Sequence, residues 1–349
     1  MLTYHNDNAR TGANTNESIL TLANVNTNTF GLLMKYDVDA YVYTQPLFVP
    51  GVKIPEQGTR DVVYVATEND SVYAFDANSN SGANGGLLWH LSLGDGINIT
   101  TNHEFGGRYH NNVLQDMLPR VGITGTPVID AASGTLYVVA LNREATAIMT
   151  NYYQRIHALN IATGEEQPYS PVVITASVPG TGVESSGGIL KFDAKQQNER
   201  CALTLADGIL YIAYSSYADT DPYHGWIMGY NAGNLQLLTN HVFNTTPNAT
   251  KALFGPHAAE GALWMGGSGL CVDANNNLYF EVANGSFDAN AGGADYGDSF
   301  MKLSASNGLA VADYFTPFNQ AALQAADADL GSGGPVLLPD DAGSAAHPT

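Results

Sequence analysis

One short pattern recurs in phase four times along the chain, and it constrains the fold more than any other feature. It reads Val62-Val63-Tyr64-Val65-Ala66, Thr135-Leu136-Tyr137-Val138-Val139, Ile209-Leu210-Tyr211-Ile212-Ala213 and Asn277-Leu278-Tyr279-Phe280-Glu281, with the tyrosines 73, 74 and 68 residues apart. Runs rich in β-branched and aromatic residues between turn residues are strand signals. Before each run lies a short apolar segment: Gln45–Val49, Thr126–Asp130, Cys201–Leu205 and Gly269–Asp273. After each comes a third element ending in a turn, such as Val72–Asp76 or Ile156–Asn160, and then an outer one such as Leu87–Leu91. Four short strands per unit, repeated in phase, predict an all-β chain built as a β-propeller of four-stranded antiparallel blades. The spacing places blades at about 30–93, 121–176, 200–243 and 266–318. Gly334–Leu338 reads as the inner strand of a fifth, at 331–340. About four and a half blades in one domain read as the N-terminal part of a longer propeller.

Composition agrees and removes some functions. The 37 glycines and 19 tyrosines favour turns and strands. With 33 acidic and 13 basic residues the formal charge is −20, which repels phosphate backbones and anionic lipid and argues against nucleic-acid or membrane partners. No run is long enough to span a membrane, and the first residues lack the pattern of a signal peptide, so a periplasmic or extracellular location would require a leader already removed. Cys201 and Cys271 form no CxxC pair and have no histidine at zinc spacing, which predicts buried free thiols.

In such a blade, the loop between strands two and three and the loop leaving strand four emerge on one side. The long connections fall there: 141–155, 214–225 and 282–298 within blades, and 94–122, 176–199, 244–266 and 316–332 between them. Function is expected on that face, as a site for a small molecule or a glycan. The loops hold His103, Glu104, Arg108, His110 and Asp116, then Asp219, Asp221, His224, His257 and Glu260, then Asn284, Asp288, Asp295, Asp298, Asp327 and Asp329. Oxygen-rich loops suit a hard cation such as calcium better than zinc or copper.

Over residues 226–335, Gly261-Ala262-Leu263-Trp264-Met265-Gly266-Gly267, Asp273–Phe280, Ala283-Asn284-Gly285 and Tyr296-Gly297-Asp298-Ser299-Phe300 resemble the quinoprotein alcohol dehydrogenase superfamily, whose propellers hold pyrroloquinoline quinone (PQQ) over calcium. The resemblance implies that Trp264 is the floor on which the quinone stacks and that Asn284 is a calcium ligand, with Asp219 or Asp221 in place of the family's calcium-binding Glu. Asp327-Ala328-Asp329 resembles the Asp-aromatic-Asp motif that supplies the base, so Asp327 and Asp329 are the implied catalytic carboxylates. The chain departs from the family where Ala283 replaces a glycine, Ala328 replaces the aromatic and the adjacent cysteine pair is missing. The segment Tyr4–Gly12 resembles the entry segment of this repeat superfamily, enzymatic or not.

Each candidate also has a plain structural role. Trp264 suits packing between blades, Asn284-Gly285 suits a turn, and His224 suits a hydrogen-bonded structural position. Asp288, Asp295 and Asp298 lie in one Gly-rich loop without the EF-hand spacing. The sequence thus leaves two readings: a PQQ- and calcium-dependent oxidoreductase acting on an alcohol or sugar, and a non-catalytic propeller that binds a protein, glycan or surface polymer through its long-loop face. A hydrolase or lyase using loop histidines and acids is a third.

Overall fold

In the computed structural model, all residues are described except 101–108, 111, 112, 115, 116, 118, 218, 220, 221, 250–258, 329, 340, 341 and 344–349. Four antiparallel four-stranded sheets follow one another. The first is β1 (Leu47–Ile54), β2 (Gly58–Ala66), β3 (Ser71–Asp76) and β4 (Leu87–Ser92). The second is β5 (Val128–Asp130), β6 (Thr135–Ala145), β7 (Thr150–Asn160) and β8 (Val172–Val173). The third is β9 (Thr204–Ala206), β10 (Ile209–Ser216), β11 (Trp226–Asn231) and β12 (Leu237–Asn244), with Gln197–Asn198 added beside β10. The fourth is β13 (Cys271–Val272), β14 (Asn277–Val282), β15 (Ser299–Ser304) and β16 (Ala310–Phe315). In each of these sheets the strands pair in chain order, which is the blade pattern of a propeller; among the described residues no sheet closes on itself.

Burial follows from that stacking. The middle strands are covered on both faces, as β3 shows, whereas β16 is exposed throughout. The apolar clusters lie between blades as well as within them. One joins Val62 and Val72 of the first sheet to Leu136 and Val138 of the second; the next joins Tyr137 and Ile156 to Leu210 and Met228; a third joins Tyr211 and Ile227 to Leu278 and Met301. The recurrent tyrosine has a specific task in this packing. The Tyr64 hydroxyl donates to the Ile161 carbonyl at 2.9 Å, and the Tyr137 hydroxyl to the Ala232 carbonyl at 2.9 Å, so each reaches the turn after the third strand of the following blade. Tyr279 of the fourth blade turns instead to Asp273, at 3.0 Å.

The N-terminal segment crosses the inner strands. Phe48 N–H donates to the Met1 carbonyl, Ile129 N–H to Leu2 and Val272 N–H to Asn8, while the Asn8 side chain donates to the Leu205 carbonyl. Arg10 is completely buried in this strap. Its guanidinium donates to Thr3 Oγ1, the Tyr4, Leu203 and Leu270 carbonyls, and Thr204 Oγ1. Burial pushes its pKa down to about 10.

Three expectations need correction. Residues 141–155 are largely the ends of β6 and β7, a projecting hairpin whose turn alone is loop. Segment 316–332 contains the helix α1 (Gln320–Ala326). Gly334–Leu338 forms no strand; Leu337 N–H donates to the Ala9 carbonyl, so this stretch lies along the N-terminal strap. Cys201 and Cys271 are buried free thiols, as expected.

Removing the Arg10 donors while keeping an unbranched side chain isolates the role of the strap. Arg10→Met should lower stability by about 3 kcal/mol or more, because two hydroxyls and three carbonyls then lose a charged donor. Urea denaturation of both proteins measures this, and an unchanged midpoint would remove Arg10 from the account of the fold.

Candidate functional site

The long loops form one hydrogen-bonded face. Tyr223–His224 pairs in parallel with Ala259–Glu260, Val183 N–H donates to the Ala249 carbonyl, Asn248 N–H to Asp295 Oδ1 at 3.0 Å, and Tyr296 N–H to the Thr245 carbonyl. His224 is buried between the Thr246 and Val183 carbonyls, and burial lowers its pKa. Its position is that of a structural histidine. His103, Glu104, Arg108, Asp116 and His257 lie outside the described residues.

Trp264 stands at the start of a single 3-10 turn, Met265–Gly267, whose three residues all have positive φ (42°, 58° and 85°). This left-handed run turns the chain sharply beside residues 331–332. Met265 N–H donates to the Gly331 carbonyl, and a Cβ on Gly266 would lie 2.8 Å from the Ser332 carbonyl oxygen, so only glycine fits. Half-buried Trp264 thereby forms one wall of a cavity of about 340 Å³. The other walls come from Met117, from Asn198 and Arg200, from Ser216 and Asp219 beyond the end of β10, and from Leu330–Ser332. The short strand Gln197–Asn198 pairs with Ser215–Ser216 and so brings Asn198 and Arg200 to this spot. Arg200 Nε is buried with no hydrogen-bond partner. An indole, a guanidinium and a carboxylate thus face one space, a combination suited to a flat ligand carrying negative charge.

The other implied site residues lie elsewhere. Asn284 is buried away from the cavity wall; its carbonyl accepts from Gly261 N–H at 2.6 Å, and its Nδ2 has no partner. It belongs to a polar network under α1. Gln324, one turn after Gln320, accepts from Gly285 N–H and donates to Glu260, each at 2.5 Å. Gln320 donates to Asp298 Oδ2 at 3.0 Å and to the Gly285 carbonyl. Asp327 caps α1 in the left-handed conformation, φ 53°, and is exposed. Asp219 is exposed at the cavity mouth, with Tyr223 donating to its Oδ1 at 3.3 Å. Asp221 and Asp329 lie outside the described residues. The structure therefore brings Trp264 and Asp219 together and does not add Asn284 or Asp327 to them.

Asp288 and Asp295 organise their own loop. Asp295 N–H donates to Asp288 Oδ1 at 2.8 Å, and Asp298 is held by Gln320. Among the described residues no three His, Cys, Asp or Glu side chains are set to hold a metal. Sequence reading passed over Arg200, Gln320 and Gln324; the four-residue spacing of the glutamines marked one helix face, but nothing marked a helix in a chain so rich in strand signals.

No family model matches the chain, and no curated protein matches it. Among solved structures it is similar to a quinohemoprotein alcohol dehydrogenase, ADHIIG, from Pseudomonas putida HK5, at 18% identity with a TM-score of 0.49, covering 81% of this chain and 35% of that one. It is also similar to a europium-containing methanol dehydrogenase, at 12% identity with a TM-score of 0.43, covering 73% of this chain and 40% of that one. The chain thus spans well under half the length of either. At these identities the blade architecture rests on this chain's own sheets.

Asp295 offers a test of the loop face. Burial, reinforced by Asp288, raises its pKa from 3.8 to about 6. A carboxyl raised in the folded state holds its proton more tightly there, so stability declines as pH climbs from 3.8 through about 6 and the penalty is complete above that. Asp295→Asn keeps an oxygen for the Asn248 amide and removes the charge. It should gain on the order of 1 kcal/mol over wild type between about pH 4 and pH 7, after allowance for solvent screening. Melting curves at the two pH values check this; a constant difference would show that Asp295 is not the titrating group.

Proposed function

We propose that the chain belongs to a quinoprotein-like propeller that binds a flat, carboxylate-bearing small molecule against Trp264. We further propose that this molecule is PQQ, serving an oxidoreductase that acts on an alcohol or sugar in the periplasm or outside the cell. The observation that carries this reading is the single cavity shared by Trp264, Arg200 and Asp219. The quinone fits this donor set: the indole offers a stacking surface, and the Arg200 guanidinium, with its Nε unpartnered, offers a fork for a carboxylate. When bound, PQQ would supply the hydride acceptor. Of the two carboxylates that the resemblance implies as proton acceptors, Asp327 caps α1 at the surface and is not part of the cavity wall, so Asp329, next to Leu330 in sequence, is the proposed one.

The calcium ligands implied by resemblance fit less well. Asp219 is at the cavity and Asn284 is in the network under α1, so the pair does not form one site and no step is assigned to a metal between them. A second reading, a non-catalytic propeller that binds a protein, glycan or surface polymer, is favoured by the β6–β7 hairpin. Its turn presents Ile148 and Met149, 91% and 53% exposed, on the long-loop side.

Calorimetric titration with PQQ separates the two. Saturable binding that weakens about tenfold or more in both Trp264→Ala and Arg200→Gln is the expected result for the cofactor reading. Absence of binding to the wild-type chain, or binding indifferent to both substitutions, would leave the partner-binding reading in its place.

A further inference from the structure

The first three blades bury three carboxylates without a matching cation among their hydrogen-bond partners. Glu68 is 1% exposed, Asp70 0% and Glu199 4%. Glu68 and Asp70 sit in the turn between β2 and β3; Glu199 follows the short strand beside β10. Gly122 N–H donates to Glu68 Oε2 at 2.6 Å, and Asn142 Nδ2 to Asp70 Oδ2 at 3.2 Å. The remaining oxygens, Glu68 Oε1, Asp70 Oδ1 and both of Glu199, make no formed hydrogen bond, although Gly125 N–H faces Glu199 closely enough to oppose its pKa rise. The acids feel one another: Glu68 raises the pKa of both Asp70 and Glu199, after the dominant effect of burial. Buried Tyr217 senses all three.

The neighbouring neutral oxygens are orphaned in the same way. Thr124 Oγ1 faces the Glu68 carboxylate closely enough to oppose its pKa rise, yet makes no formed hydrogen bond; Asn198 Oδ1 and Ser216 Oγ are also buried without partners. These side chains are 6%, 1% and 0% exposed. Gly125 leaves the room, since a Cβ there would lie 2.2 Å from Glu199 Oε2. Buried polar atoms are nearly always satisfied, and an unpaired buried carboxylate is among the most costly groups a fold can hold. An oxygen-only set of acids and neutral donors, with neither sulfur nor imidazole, has the chemistry of a hard divalent cation site, for which six to eight oxygens are usual.

We propose that Glu68 and Glu199, with neutral oxygens from Thr124, Asn198 and Ser216, bind a calcium ion that ties the first three blades together. Two carboxylates carry the charge and Asp70 adds its field to that of Glu68, so the site needs no third acid within ligating reach. It is distinct in its residues from the pair Asp219 and Asn284, and it does not depend on a quinone. Asn198 and Ser216 also line the cavity, which puts the ion at the back wall of the Trp264 site.

The test is calorimetric and thermal titration of the EDTA-stripped 349-residue chain with calcium chloride, without PQQ. Calcium at about 100-fold over its Kd should raise Tm by several degrees. Glu199→Gln and Glu68→Gln should each weaken calcium binding tenfold or more while Tm in EDTA does not fall, because burial raises the pKa of both carboxyls and the amide stands in for a protonated acid. Asp219→Asn should bind calcium as wild type does. Absence of calcium binding to the wild-type chain, binding that survives both glutamine variants, or binding lost in Asp219→Asn would each overturn the assignment. None of these readouts uses the quinone, so failure here leaves the cofactor proposal to its own titration.

Discussion

The structure depends on one buried cation. Arg10 has been taken entirely out of water, and its five polar contacts reach the N-terminal segment itself and the inner strands of the third and fourth blades. Desolvating a guanidinium is costly, so those contacts must be made together or not at all. Around this anchor the same segment bonds to Phe48 of the first blade and Ile129 of the second. A strand pairs only with its neighbours; the strap touches all four sheets and so fixes where their inner edges stand relative to one another. The long-loop face, and the cavity beside Trp264, inherit their shape from that placement.

Electrostatics divides the centre of the molecule into two regions. Around Arg10 positive charge is solvated by carbonyls and hydroxyls, and the account closes. Around Glu68, Asp70 and Glu199, four buried carboxyl oxygens make no formed hydrogen bond, and the account does not close. The Trp264 cavity lies on the boundary of the second region, with Arg200 as its cationic wall. A carboxylate-bearing ligand there meets Arg200, and a cation held by Glu68 and Glu199 would favour the same ligand. The two proposals are physically compatible while remaining separately testable.

Much of the fold was legible because its signal is periodic. Tyr64, Tyr137 and Tyr211 recur at near-constant spacing because each fills the same place between blades, and two of them make the same hydrogen bond to the next blade. The site was legible only in part. Trp264 and Asp219 were found, but Arg200 was not, because its meaning comes from a two-residue strand pairing that no local pattern announces. Asn284 was read as a ligand from its neighbours in sequence, whereas its surroundings are set by Gln320 and Gln324, more than 30 residues away. The 141–155 stretch looked like a loop because its polar residues mask strand pairing beyond the sheet's core, and Gly334–Leu338 looked like a strand because an apolar run does not reveal whether it will pair or lie against a strap.

The apolar clusters shared between sheets have a consequence for how such a chain loses its structure. Because Val62 packs with Leu136, Tyr137 with Leu210 and Tyr211 with Leu278, the cohesive unit is the contact between two blades. In a nearest-neighbour array of this kind a defect in the second or third sheet disturbs two of these junctions at once. A cavity opened at Leu136 or Leu210 therefore loosens a contact that two sheets share, so tolerance to mutation there is set by the neighbouring sheet as much as by the residue's own.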